Sequence, residues 1–203
     1  MIKGIKSLGM DMEAIRGNKM IYELNKEYVY DGDVKCRRSG YHYFNSIRDV
    51  MTLYNLNESR LFECELNGDV FDHDGIVHCT NKIKLIREIT KEEIKKYIED
   101  NSDILVNDID WVIRLEVAKQ GYGLDKLIND EHWFVREEVA RQGYCLDILI
   151  NDKDWHVRKE VARQGYKLIK LSFDKNKIIK NEARTKLYII IKEKLIVYSD
   201  KLK

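Results

Sequence analysis

Trp111, Trp133 and Trp155 stand 22 residues apart, and Arg114, Arg136 and Arg158 each follow three residues later. Indole rings at a fixed interval could form a stacking platform for bases or sugars. A row of guanidinium groups could hold phosphates or an acidic partner. Both rows also have a packing explanation. A Trp locked to the frame of a core is expected to be core. An Arg in step with Asp108, Asp130 and Asp152 would tie each repeat to the next through bidentate pairs. Strict step with the apolar positions favours this structural ladder for Trp111, Trp133, Trp155, Arg114, Arg136 and Arg158. A third constellation, Cys36, His42, His73, His78 and Cys79, has the residue types of a zinc site. Its spacings fit no standard zinc knuckle, so no metal and no cofactor is expected.

The elements that must position these rows are repeats. Asp-x-x-Trp-x-Val/Ile-Arg-x-Glu-Val-Ala-x-Gln-Gly-Tyr occurs at 108–122, 130–144 and 152–166. A fixed period of this size marks stacked supersecondary units. Asp108, Asp130 and Asp152 suit helix N-caps. Gly121, Gly143 and Gly165 suit the left-handed residue after a helix. Leu124, Leu127 and Ile128 begin a second, shorter helix. The frame predicts repeats over 108–129, 130–151 and 152–173. A divergent first repeat spans 90–107, opened by the capping box Thr90-Lys91-Glu92-Glu93, and a C-terminal cap spans 174–203. The expected product is a short right-handed α-solenoid over 90–203. Positions that drift within the strict frame mark surface freed from packing: Val112/Phe134/His156, Leu115/Glu137/Lys159 and Gly123/Cys145/Lys167. Phe134, His156, Glu137, Lys159 and Tyr144 are therefore candidate partner-binding residues.

Residues 1–89 carry a different period. Short alternating runs at 20–24, 27–30, 61–66 and 82–86 read as strands. Turn signals such as Gly17-Asn18 and Asn67-Gly68-Asp69 separate them, and one helix is expected over Ser46–Leu53. The gaps are too short for repeated crossovers, so the sheet should be mainly antiparallel. The whole is an α+β chain: a small antiparallel head domain, then the helical repeats. Tyr41 and His42, in the densest aromatic stretch, are the head's candidate binding residues.

Charge is balanced, with 36 basic against 35 acidic residues, which disfavours a dedicated nucleic-acid binder. Residues 174–203 nevertheless hold nine Lys or Arg against four Asp or Glu. No apolar run is long enough to span a bilayer, and the N-terminus lacks the pattern of a signal peptide. A cytoplasmic protein with reduced, mostly buried thiols is expected.

The repeat consensus resembles the leucine-rich-repeat-variant and HEAT-like families over roughly 100–185, which implies an α-solenoid scaffold. Lys3-Gly4, Tyr22…Tyr28, Cys36-Arg37-Arg38-Ser39-Gly40-Tyr41-His42-Tyr43-Phe44, Asp49-Val50…Tyr54, Arg60…Gly68-Asp69 and Lys82-Ile83 resemble an uncharacterised phage and prophage domain, which implies a mobile-element origin. The order of a Lys-Gly strand, a Tyr-rich strand, a Gly-Tyr-His element and Glu63-Cys64-Glu65 resembles mono-ADP-ribosyltransferases. The Ser-Thr-Ser run of that family is missing.

The functional reading is a protein-binding adaptor with a partner of unstated identity, in phage or prophage use a host or defence protein. The alternatives are a nucleotide-binding or degenerate ADP-ribosyltransferase-like head, and nucleic-acid binding through the basic tail. No catalytic residue is assigned.

Overall fold

In the computed structural model, residues 2–14, 20–36, 38–72 and 74–200 are described. The chain divides into two compact units, Met1–Asn101 and Ser102–Lys203.

In the first unit, β1 (Ile2–Leu8) pairs antiparallel with β4 (Arg60–Leu66), and β4 pairs with β7 (Lys82–Ile89). The short β2 (Glu27–Val29) closes the order β1-β4-β7-β2. A second sheet has the order β3 (Tyr41–Tyr43), β6 (His78–Thr80), β5 (Val70–Asp72). Every named pairing is antiparallel, as the short connections require. Ile5 and Phe44 exchange backbone hydrogen bonds at 2.7 and 2.8 Å and so join β1 to the end of β3. Gly4 permits this approach, since a Cβ there would lie 2.5 Å from the Tyr43 ring. The core face gathers Leu8, Tyr22, Tyr28, Tyr43, Phe62, Cys64, Leu66, Ile83 and Leu85.

Two strand expectations change. Residues 20–24 form no strand; Ile21 makes one isolated bridge to Glu13, and only two backbone bonds join 12–14 to 20–22. Conversely β1, β3, β5 and β6 escape the pattern, three of them because three residues are too few to show alternation. The Gly17-Asn18 turn lies outside the described residues. The helix expected over Ser46–Leu53 is α1 (Ile47–Met51), with Ser46 Oγ accepting from the Asp49 N–H.

The capping box is present: α2 (Lys91–Asp100) starts with reciprocal Thr90 and Glu93 hydrogen bonds. Arg87 bridges Glu93 to Glu63 on β4, which fastens the start of α2 to the sheet. The division at Asn101 thus counts α2 with the first unit, where the repeat frame alone opens the second at Thr90.

The second unit alternates short and long helices: α3 (Ser102–Leu105), α4 (Trp111–Lys119), α5 (Leu124–Leu127), α6 (Trp133–Arg141), α7 (Leu146–Leu149), α8 (Trp155–Arg163), α9 (Leu168–Leu171) and α10 (Lys177–Asp200). Helix α4 packs on α6, α6 on α8, and α8 on α10. Ile113, Val117 and Ala118, with their counterparts at 135, 139, 140, 157, 161 and 162, are completely buried. Each long helix before α10 stops the same way. The N–H groups of Gly121 and Tyr122 donate back to Ala118 and Val117, and the pattern recurs at Gly143-Tyr144 and Gly165-Tyr166. These glycines have φ of 81°, 75° and 80°, the left-handed termination that the sequence signals.

The residues Asp108, Asp130 and Asp152 are not the N-caps. The caps are Asp110, His132 and Asp154, two residues later. The earlier carboxylates instead accept the N–H of residue i+2 at 2.9, 2.8 and 2.8 Å. At Asp130 and Asp152 the same carboxylate also accepts from an Arg of the preceding repeat.

Candidate functional site

Each Trp opens its helix at the first helical position. At a helix end the side chain projects beyond the apolar layer. All three Trp are accordingly half-buried, not core, which corrects the expectation of burial. They pack on one another's neighbours. Trp111 stacks on His132 (4.2 Å, 9°) and faces Phe134 at 5.4 Å. Phe134 stacks on Trp133 at 3.7 Å and Trp133 on His156 at 4.0 Å, and His156 meets Trp155 at 3.6 Å with the rings tilted by 32°. The result is one aromatic column along the helix starts.

The column explains the drift at Val112/Phe134/His156. Phe134 fills the space between Trp111 and Trp133, and His156 that between Trp133 and Trp155. Val112 follows Ile89 in the frame, so it has no preceding Trp to cover. These positions therefore have a packing duty that the sequence reading denied them. Phe134 still exposes 40% of its surface. His132 is the residue that sequence reasoning missed; its signal was a His where the frame otherwise holds the capping Asp110 and Asp154.

The same helices carry a buried ion-pair ladder. Arg114 Nε and Nη2 donate to Asp130 at 2.6 and 2.9 Å, Arg136 to Asp152 at 2.7 and 2.9 Å, and Arg158 to Asp174 at 2.9 and 3.1 Å. The remaining Nη1 of each donates to the carbonyl of Asp108, Asp130 or Asp152. Each of these Arg residues is at most 7% exposed. Burial alone would raise the Asp174 carboxyl, but hydrogen bonds from Arg158 and the Asn176 N–H outweigh it and hold it below the usual range. A second buried row, Glu116, Glu138 and Glu160, pairs with Lys119, Arg141 and Arg163. Gln142 and Gln164 bind Glu138 and Glu160 and also donate to the carbonyls of Lys119 and Arg141 on the preceding helix.

The other candidates separate. Lys159 lies over the Trp155 ring at 5.8 Å and joins the column. Glu137 is drawn toward Arg141, and burial raises its carboxyl above the usual range. Tyr144 completes the helix-stop motif at the opposite helix end. Gly123, Cys145 and Lys167 all take left-handed φ, at 59°, 47° and 43°, and start the short helices.

Tyr41 and His42 sit in the first unit. Tyr41 meets Tyr22 and Tyr28 edge-on at 6.4 Å each. The His42 carbonyl accepts from Lys6 Nζ at 2.7 Å. Lys6 is buried in the core face, 5.3 Å from the Tyr22 ring centre, and desolvation lowers its ammonium to about 8. Cys36 and Cys79 are joined as a disulfide, Cα–Cα 5.5 Å, where the sequence led us to expect free thiols. The cause is tertiary: the loop before β3 folds over β6. His78 contacts Asn45 at 2.8 Å and Asp72 at 3.4 Å, and His73 lies outside the described residues. Among the described residues no three His, Cys, Asp or Glu side chains converge as metal ligands, and no helix is long and apolar enough to cross a membrane.

No curated protein and no solved structure matches this chain. The unit built on the two sheets does have a counterpart: residues 2–97 match the model of a domain of unknown function (DUF7666).

Proposed function

We propose that the helical unit is a protein-binding scaffold, an α-solenoid whose partner lies along the aromatic column. One observation carries this reading: the rings stack on one another while Phe134 is 40% exposed and the three Trp are only half-buried. A column with used faces is a poor intercalator for bases, which need a free face. Its edges carry the positive side of the ring quadrupole and suit carbonyl oxygens and apolar side chains. Asp110, Asp154 and Glu131 beside the column also disfavour phosphates. The resemblance of residues 100–185 to leucine-rich-repeat-variant and HEAT-like scaffolds supports the same reading. The phage and prophage resemblance extends it to a cytoplasmic partner from a host or its defences. The Cys36–Cys79 bond weighs against that compartment, and thiol titration of freshly isolated protein, two free thiols against four, decides the point.

The test compares wild type with Phe134→Glu in affinity capture from host extract, with melting as the folding control. A protein retained by wild type and lost by a Phe134→Glu variant of unchanged melting supports the scaffold. Equal retention by both, or steeply salt-dependent binding of single-stranded nucleic acid unaffected by the variant, overturns it.

A further inference from the structure

The last repeat departs from the frame where the earlier repeats agree. Asp174, Ile179 and Ala183 keep the frame, and Asp174 still receives Arg158. Two polar surface positions then turn apolar. Asp125 and Asp147 become Ile169, and Asn129 and Asn151 become Phe173. These two side chains are 71% and 76% exposed. The helix-stopping glycine becomes Leu187, so α10 does not end there but runs on to Asp200. The overrun exposes Tyr188, Ile189, Ile191, Leu195 and Ile196.

Between α9 and the overrun lies a hollow of about 640 Å³, lined by Leu168, Ile169, Phe173, Leu187 and Ile190. Its polar border is cationic: Lys167 and Lys170 stand on one side. Lys186 replaces the frame's Gln and donates to the Arg163 carbonyl. Further along the overrun the chain carries Lys192 and Lys194 against a single Glu193.

We infer that this notch is a docking site for an acidic amphipathic helix of a protein partner. An open apolar hollow between two helices suits the helix-in-groove mode, in which i, i+3, i+4 and i+7 side chains fill it. The lysine border supplies the charge complementarity and selects acidic flanks. A second copy would bring lysine against lysine. A bilayer surface suits a helix apolar on one side, whereas residues 187–191 are apolar all round. The inference shares the protein-binding reading proposed above but uses a separate surface, so the two fail independently.

The experiment uses the full chain and a synthetic amphipathic helix of about four turns, Leu and Phe on one face and Glu on the other. Controls are the same peptide with Lys for Glu, and vesicles of phosphatidylserine and phosphatidylcholine. Fluorescence anisotropy should show the Glu peptide binding at least about tenfold more tightly than the Lys peptide, with affinity falling as salt rises. The double variant Ile169→Asp/Phe173→Asn restores the residues of the earlier repeats, so it should fold as wild type and lose this binding. Phe134→Glu should leave it unchanged. Equal binding of both peptides, or full binding by the double variant, overturns the site. So does concentration-dependent dimerisation, or vesicle binding without peptide binding, either of which the double variant abolishes.

Discussion

The two units bury positive charge in opposite ways. In the helical unit Arg114, Arg136 and Arg158 each receive a carboxylate in bidentate geometry and a backbone carbonyl besides. In the sheet unit Lys6 is just as buried, but it meets the His42 carbonyl and the face of the Tyr22 ring. A planar fork fits a carboxylate placed one repeat away, and repetition reproduces the fit. An ammonium in a core of Tyr and aliphatic side chains is instead pushed toward its neutral form. Buried charge is therefore bound into the architecture of one unit and only tolerated by the other.

The strongest way to break this comparison is Arg136→Ala. It strands the Asp152 carboxylate and should destabilise the helical unit by about 3–5 kcal/mol in urea unfolding. The double replacement Arg136→Met/Asp152→Leu should recover much of that loss, because a stranded charge is worse than none. A single variant of unchanged stability would show that the ladder is not structural.

Next in size is the pH response of the sheet unit. Folded Lys6 releases its proton near 8 and the unfolded chain near 10.5, so in that window the unfolded state holds more protons. The Lys6 contribution to stability therefore rises with pH from 8 to 10.5, by about 3 kcal/mol in all. Cys64, pushed up to about 12 by burial, works the other way from pH 9, where the unfolded thiol ionises first. Lys6→Met keeps the second effect and loses the first. Its stability advantage over wild type should be greatest below pH 8 and shrink toward pH 10.5. A constant difference across that range would mean that Lys6 is not desolvated.

Acid acts on the helical unit in the same sense but in a lower window. The lowered Asp174 contributes stability above its unfolded value near 3.8, which is lost as pH falls through its lower folded value. Asp174→Asn should flatten the acid limb of the helical signal; an unchanged limb would assign acid unfolding to other carboxylates.

The smallest effect sharpens the comparison within the repeats. Cys145 holds a left-handed φ of 47° at the position Gly123 occupies one repeat earlier. Cys145→Gly should stabilise by about 0.5–1 kcal/mol, read as a higher melting temperature. Gly123→Ala should do the reverse and by more, because its Cβ would lie 2.3 Å from Val106 Cγ1. A destabilised Cys145→Gly would show that chain entropy outweighs the strain at this site.

The sequence by itself determined what depends on residues near one another in the chain. The Gly-Tyr helix stops, the Thr90 capping box, the Val-Ala stripes and the step between Arg and Asp are legible because hydrogen bonds within one turn, and a constant period, carry them. Only the tertiary structure decided the rest. Strand partners such as Ile2 with Leu66 are tens of residues apart, and three-residue strands leave no pattern. The cap lies at His132, and Asp130 instead meets Arg114 across the repeat boundary. The Trp row left the core because a first helical position lies at the end of the layer, where rings meet rings. Cys36 found Cys79 through the placement of a loop over a strand, a contact without local signal.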